Sequence, residues 1–320
     1  MKKERFPGSI TDVHGIRVGQ VENIEARTGV TVVRVSRDGA VLGVDVRGAA
    51  PGTRETDLAR PGNLVKNANA VVLSGGSAYG LAAADGVMQY LESIDVGLDM
   101  GVCRVPIVPA AVLYDLGVGN AKVRPTAEMG AEACMSATKE VWEGKYGAGC
   151  GATVGKIVPG TIPATGGVGT ASIKLNTGVT VGAIVAVNAV GDIYHPHTGE
   201  LVACGTLKDG TPIKAMDLLY GNPPVPSAPR FMEPGQNTTI AVIATDAILN
   251  KEEANRLATV AHDGFARTIM PVHTQMDGDT VFALATGRVD TDTNFMMLSM
   301  AASEVMARAI YNAIIAGGKN

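Results

Sequence analysis

The sequence predicts a mixed α/β protein in which β-sheets are covered by helices. Short runs of β-branched residues, typical of strands, alternate along the chain with longer runs of small and apolar residues, typical of packed helices. Apolar residues make up 46% of the 320 residues and charged residues 18%, a balance that excludes global disorder. The 40 glycines indicate closely packed layers and many tight turns.

In the first half of the chain, the apolar runs are separated by turns and by a loop rich in Gly, Pro and Arg at 47–62. Residues 10–50 are expected to form short strands. The further elements predicted here are strand 29–35, buried strand 70–76, helix 77–91, strand-like run 102–113 and helix 126–141.

The second half of the chain contains a proline-rich stretch at 222–235, which cannot form a helix or a central strand and is predicted to be an exposed, extended connection. A β-branched run follows it directly. The elements predicted for this half are strands 178–188, 238–245 and 280–286 and helices 251–268 and 296–315.

Charge and targeting patterns limit the partners and the location. The net charge of −4, without a polybasic run, argues against nucleic acid and anionic membranes as partners. The first residues show no secretory signal pattern, and no uncharged apolar run approaches the ~18 residues of a membrane span. The four cysteines lack CxxC spacing and are expected to be buried thiols. We therefore expect a cytoplasmic protein.

Three familiar signatures come close and fail. Residues 75–80 are not a nucleophile elbow, because Tyr79 stands where the second glycine is required. Residues 150–157 imitate a phosphate loop but end in Ile157 instead of the Ser or Thr that holds magnesium. The His-Pro-His at 195–197 has no third ligand nearby in sequence. No cofactor and no metal site is predicted.

The junction between Asn237 and Thr238 is the most informative point, because a flexible segment runs directly into a strand that begins with a hydroxyl residue. N-terminal-nucleophile catalysis uses this arrangement. Such a hydroxyl attacks the preceding carbonyl, and the freed residue then carries a nucleophilic oxygen and an α-amine with a pKa of about 8 that can be the general base. An ordinary strand start has the same appearance.

Two carboxylates follow at Asp277 and Asp279, before the strand predicted at 280–286. If pairing continues back from that strand, residues at i and i+2 face the same way. They could then hold an N-terminal ammonium or orient a hydroxyl. An Asp-Gly turn is the alternative interpretation.

Six segments, spread over most of the chain, form a combined pattern. They are 75–81 (GGSAYGL), 112–115 (VLYD), 149–156 (GCGATVGK), 187–191 (VNAVG), 237–240 (NTTI) and 271–280 (PVHTQMDGDT). In type and order they resemble the DmpA/BapA-type aminopeptidase family and, more closely, its nylon-oligomer (6-aminohexanoate-oligomer) hydrolase branch.

The resemblance implies Thr238 as nucleophile, freed by autocatalytic cleavage after Asn237. A single domain of residues 1–320 would then become a large subunit, 1–237, and a small subunit, 238–320. It also implies a four-layer α/β/β/α sandwich of the N-terminal-nucleophile-hydrolase type, assembled as tetramers of processed heterodimers.

Five further positions match functional residues of the family. Asp277 and Asp279 match paired acidic positions near the nucleophile, and Lys156 matches a lysine that assists processing and turnover. Asn188 matches a donor to the oxyanion, and Tyr114 a tyrosine that lines the substrate site. The aminopeptidase branch instead uses serine as nucleophile, with Ser-Gly-Asp/Glu in place of Asp-Gly-Asp.

Three functions follow from these observations. The first is an amidohydrolase acting on linear amides, such as 6-aminohexanoate oligomers, short peptides or β-peptides, with L-aminopeptidase/D-amidase-esterase activity as a variant. The second is an acyltransferase, in which an amine intercepts the same acyl-threonine. The third is a non-catalytic scaffold.

Overall fold

The computed structural model describes residues 4–158, 160–221, 236–291 and 294–318. The proline-rich connection predicted at 222–235 lies outside the described residues. The strands are β1 (Ile16–Asn23), β2 (Thr28–Val35), β3 (Ala40–Val46), β4 (Gly52–Arg54), β5 (Asn67–Ala68), β6 (Ala70–Ser74), β7 (Leu98–Asp99), β8 (Arg104–Val105), β9 (Ala110–Val112), β10 (Thr153–Val154), β11 (Ala164–Thr165), β12 (Gly167–Lys174), β13 (Thr180–Asn188), β14 (Asp192–Tyr194), β15 (Leu201–Ala203), β16 (Gly205–Thr206), β17 (Pro212–Ile213), β18 (Thr238–Ala247), β19 (Ile269–Met270) and β20 (Thr280–Val289).

The α-helices vary widely in length, and short 3-10 helices occur between them. The α-helices are α1 (Thr56–Ala59), α2 (Ala83–Ser93), α3 (Ala127–Met135), α4 (Lys251–Thr268) and α5 (Phe295–Gly317), and the 3-10 helices are Ile10–Asp12, Ser77–Ala82, Gly147–Gly149 and Ala215–Tyr220.

The described chain contains two large β-sheets, one of six strands and one of five. The first has the order β12-β13-β18-β20-β3-β5, with β18 and β20 parallel and the other neighbours antiparallel. The second has the order β1-β2-β6-β9-β4, with only β6 and β9 parallel among its neighbours. Strand β18 therefore lies in the interior of the six-stranded sheet, and all ten of its residues are buried.

The side chains of each sheet divide between two apolar clusters with the period of two expected for strands. In β18, Ile240 and Val242 pack in a cluster with residues of the five-stranded sheet, whereas Ala241 and Ile243 pack in a cluster with α4 and α5. On the far side of the five-stranded sheet, Val32 packs in a third cluster with α2 and α3. The sheets thus share a core with each other, and each shares a second core with helices.

Most of the predicted elements are confirmed, and helix α4 has the predicted bounds. The predicted strand 102–113 is wrong as one strand, because Pro106 and Pro109 lack the N–H groups that a ladder requires, and the run is divided into β8 and β9. The helix predicted at 126–141 ends at Met135. The chain beyond it pairs with the edge of the five-stranded sheet, where the N–H of Thr138 donates to Val18 O at 2.9 Å.

Two further features bear on the sequence predictions. Within the described ranges, no helix is both long enough and apolar enough to cross a bilayer. All four cysteines are free thiols, but Cys103 is exposed, so the expectation of burial was wrong for that residue.

Candidate active site

Thr238 begins β18 and is 2% exposed. Antiparallel pairing with β13 places Asn188 directly opposite it. On the other side, the parallel pairing of β18 with β20 continues back through a bridge between Asn237 and Asp277. The start of β18 therefore brings together segments that are far apart in sequence.

The carbonyl oxygen of the peptide bond before Thr238 accepts two hydrogen bonds. The Thr238 hydroxyl donates to the carbonyl oxygen of Asn237, and the main-chain N–H of Gly278 donates to the same oxygen at 3.0 Å. A Cβ atom at Gly278 would lie 2.9 Å from Thr238 Oγ1 and 2.6 Å from the carbonyl oxygen of Ala50. Glycine is thus the residue that lets this N–H approach the carbonyl.

Asp279 is buried and accepts hydrogen bonds on both carboxylate oxygens. Oδ1 accepts from the main-chain N–H of Thr239 at 2.7 Å, and Oδ2 accepts from His273 Nδ1 at 2.8 Å. The carboxylate therefore connects β18, at the residue after Thr238, to a histidine of the preceding loop.

Asp277 is also buried, and its Oδ2 accepts from the main-chain N–H and the hydroxyl of Thr274 at 2.8 and 2.6 Å. Burial, and then the negative charge of Asp279, raise the pKa of Asp277 to about 6. A buried carboxyl with a raised pKa is typical of groups that exchange protons.

Lys156 is buried on the other side of the site. Its Nζ donates to the main-chain oxygen and to Oδ1 of Asn188 at 3.1 and 2.9 Å, and to the carbonyl oxygen of Gln236 at 3.5 Å. Burial lowers the pKa of Lys156 to about 7, and the charge of Asp277 opposes this shift. The lysine therefore holds the Asn188 amide and contacts the backbone two residues before Thr238.

Asn188 is fixed from both ends. Its Oδ1 accepts from Thr153 N at 3.0 Å as well as from Lys156, and its Nδ2 donates to the main-chain oxygen of Tyr114 at 2.9 Å. An amide nitrogen carries two hydrogens, and Tyr114 O engages one of them. The main-chain oxygen of the half-buried Tyr114, and not its ring, makes this contact.

All the residues that the sequence singled out are thus connected by pairing or hydrogen bonds around the start of β18. Their roles in catalysis remain predictions. Sequence reasoning assigned no role to His273 or Gly278, although both lie in the quoted segment 271–280. The short motif 271–280 was the only sequence signal for them. Which of its side chains or N–H groups points at Thr238 depends on how the loop folds.

No group of three or more His, Cys, Asp or Glu side chains in the described parts of the chain is arranged to hold a metal ion.

Comparison with known proteins decides the family. The model of peptidase family S58 matches residues 8–319. The chain belongs to this family. An uncharacterized aminopeptidase of Mycobacterium tuberculosis is 48% identical over 294 residues, which cover 88% of this chain and 82% of that protein. The 6-aminohexanoate-oligomer endohydrolase of Paenarthrobacter ureafaciens is 32% identical over 322 residues, which cover 96% and 85%.

A solved structure is similar over nearly the whole chain. The L-aminopeptidase D-Ala-esterase/amidase of Ochrobactrum anthropi, described as a variant of the Ntn hydrolase fold, superimposes with a TM-score of 0.70. It covers 99% of this chain and 88% of its own, at 21% identity. The resemblance to the DmpA/BapA family is confirmed. As a member of peptidase family S58, the protein is a hydrolase of amide or peptide bonds.

Proposed function

We propose that this protein cleaves itself between Asn237 and Thr238 and then uses Thr238 as an N-terminal nucleophile to hydrolyse linear amides. The observation that carries the proposal is the convergence of the Thr238 hydroxyl and the Gly278 N–H on the carbonyl oxygen of Asn237. The two groups that acyl transfer needs, a nucleophile and a donor to the developing oxyanion, meet at one buried peptide bond.

In the cleavage step, Thr238 Oγ1 attacks the carbonyl carbon of Asn237, and the Gly278 N–H stabilises the oxyanion. The C–N bond breaks, the hydroxyl proton passes to the leaving nitrogen, and Asn237 is left as an ester on Oγ1. Water hydrolyses that ester, which frees the carboxylate of Asn237 and the hydroxyl and α-amine of Thr238.

In turnover, the α-amine of Thr238 accepts the proton of Oγ1 as this oxygen attacks the substrate carbonyl. The substrate amine leaves with a proton, and water releases the acyl group. Asn188, held by Lys156, supplies an amide N–H to the oxyanion. Asp277 and Asp279 hold the α-amine of Thr238. Tyr114 lines the space for the substrate.

The proposed substrates are linear amides such as 6-aminohexanoate oligomers and short peptides. Two relatives, a 6-aminohexanoate-oligomer endohydrolase and an uncharacterized aminopeptidase, support this class. The threonine at 238 and the Asp-Gly-Asp at 277–279 favour 6-aminohexanoate oligomers over substrates that are recognised by a free amino terminus.

The assembly we propose is a four-layer α/β/β/α protomer that forms an oligomer, a tetramer of processed heterodimers. The succession of three apolar clusters around the two sheets supports the layers. On α5, Met296 and Met300 are 68% and 62% exposed, an apolar patch suited to contact with another copy. Light scattering after gel filtration would measure the mass in solution.

The proposal is tested by intact-mass analysis of the purified protein with and without Thr238→Ala, followed by assays on 6-aminohexanoate oligomers, aminoacyl amides and short peptides. We expect two fragments, 1–237 and 238–320, and amide hydrolysis in the wild type only. An active preparation that contains only the full-length chain would contradict the proposal. Addition of an amine nucleophile distinguishes hydrolysis from acyl transfer by the product formed.

A further inference from the structure

A chain of hydrogen bonds runs from the second residue of β18 to the loop before β20. The N–H of Thr239 donates to Asp279 Oδ1 at 2.7 Å, and Asp279 Oδ2 accepts twice from His273, from Nδ1 at 2.8 Å and from the main-chain N–H at 3.2 Å. The orientation of the carboxylate is therefore fixed by one histidine, and through the carboxylate the position of Thr239 is fixed.

His273 is itself held firmly. Its φ of +55° is left-handed, a conformation in which Asn, Asp and His are enriched among residues other than glycine. Its ring packs edge-on against His262 at 4.8 Å between centroids and lies against Phe265 at 5.9 Å, both buried residues of α4. His262 is fixed in turn, because its Nε2 donates to the carbonyl oxygen of Asp45 at 3.1 Å.

The tautomer of His273 follows from its partner. A carboxylate only accepts, so the hydrogen must lie on Nδ1. The ring is 18% exposed and Asp279 2% exposed, so the pair is largely shielded from water. Removal of the imidazole would leave Asp279 Oδ2 with the weaker, longer main-chain hydrogen bond.

We propose that His273 is a positioning residue that clamps the start of β18 through Asp279. The clamp matters most after the cleavage on which the proposed function rests, because Thr238 then becomes a free chain end, and chain ends fray unless they are tied down. The Thr239 N–H is the first amide after the nucleophile. When it is held by Asp279, Oγ1 and the α-amine of Thr238 keep their place opposite Asn188.

The first arm of the test does not depend on activity. Hydrogen exchange at Thr239 is measured in the uncut Thr238→Ala chain, alone and combined with His273→Ala, His273→Gly or His273→Asn. We expect at least tenfold faster exchange with Ala and Gly. Gly adopts the positive φ freely, so it separates loss of the donor from backbone strain. Asn tolerates this φ and places an amide N–H near the Nδ1 position, so exchange should stay within about threefold of the parent.

The second arm uses the full chain with Thr238 present. His273→Ala and His273→Gly should lower the cleavage rate and kcat at least tenfold with less than a twofold change in KM, and His273→Asn should restore most of both. His14→Ala, at an exposed histidine, is the matched control.

The outcomes are distinguishable. Unchanged exchange at Thr239 in both His273→Ala and His273→Gly would overturn the clamp, and so would a loss of kcat that His273→Asn does not rescue. If the wild type neither cleaves nor hydrolyses amides, the proposed function fails, and the exchange measurements still decide the clamp.

Discussion

The main-chain N–H of Gly278 donates to the carbonyl oxygen of Asn237 at 3.0 Å, across two segments that are 41 residues apart (278 − 237). The residues on either side of this glycine are the two buried carboxylates, Asp277 and Asp279. One tripeptide therefore supplies an N–H to the Asn237 carbonyl oxygen from its middle residue and buried acidic side chains from its ends. A side chain at 278 would collide with Thr238 Oγ1 and Ala50 O, so glycine is what allows this close approach to the start of β18.

Gly278→Ala should block self-cleavage. The new methyl group would lie 2.6 Å from Ala50 O and 2.9 Å from Thr238 Oγ1, so the loop must move and carry its N–H away from Asn237. Loss of one preorganised oxyanion donor costs a reaction about 100-fold or more. Gly318→Ala, whose nearest added contact is 3.5 Å away, is the control. Time-resolved intact mass gives the rate, and normal cleavage in Gly278→Ala would remove the glycine from the mechanism.

The adjacent threonines provide a matched pair of substitutions. Thr238→Val removes the proposed nucleophile with little change in shape and should abolish cleavage and amide hydrolysis. Thr239→Val removes a buried hydroxyl that has no hydrogen-bond partner among the described residues, so it should leave cleavage intact and the fold at least as stable. Sequencing the N-terminus of the small fragment checks the assignment directly, and a start at residue 239 would move the nucleophile by one position.

The two fragments should remain associated after cleavage. The small fragment would contribute β18, β20 and α5, and β18 pairs with β13 of the large fragment along eight residue pairs. Helix α5 also packs in one apolar cluster with β12 and β13. Processed protein should therefore elute from gel filtration like Thr238→Val, without a disulfide. Separation of the fragments in buffer without denaturant would contradict this.

In the uncut Thr238→Val chain, Asp277→Asn should stabilise the fold at neutral pH, and in the chain with Thr238 present it should lower activity at least tenfold. Burial raises the pKa of Asp277 from 3.8 to about 6, so its ionised form opposes folding by up to roughly 3 kcal/mol above pH 6. Below about pH 3 the carboxyl is protonated in both the folded and the unfolded state, and the difference should vanish. Urea unfolding at about pH 3 and about pH 7.5 tests the sign. Asp57→Asn, at a carboxylate 88% exposed, should change little.

Amide hydrolysis by the processed enzyme should fall in two stages as the pH drops. The first stage is protonation of the Thr238 α-amine, whose ordinary pKa is about 8, because the general base is then lost. The second, at lower pH, is protonation of Asp277, whose pKa is raised in the uncut chain and whose charge is proposed to hold the amine. The charge of Asp279 is the second cause of this raised pKa. Asp279→Asn should therefore leave a slower enzyme whose second acidic limb, the one assigned to Asp277, lies at lower pH. The pH dependence of kcat/KM measures this limb, and an unmoved limb would show that Asp277 is not the titrating group.

Local sequence patterns were sufficient to predict most of the helices and strands. Helix α4 begins at a capping box formed by Asn250 and Glu253, a feature of adjacent residues that is visible in the sequence. The predicted run at 102–113 was less reliable, because its apolar pattern is that of a strand while its prolines prevent ladder pairing. The family pattern found Thr238, Asp277, Asp279, Lys156 and Asn188, none of which periodicity alone would have selected.

The sequence by itself determined the alternation of strands and helices, the threonine at the strand start, and the two aspartates two residues apart. These are local facts, set by residue type and spacing. Only the tertiary structure decided that Gly278 N–H points at Asn237 and that His273 holds Asp279. Those contacts depend on the parallel pairing of β18 with β20 and on a loop packed against α4, and a hydrogen bond between distant segments follows from such packing rather than from either segment alone.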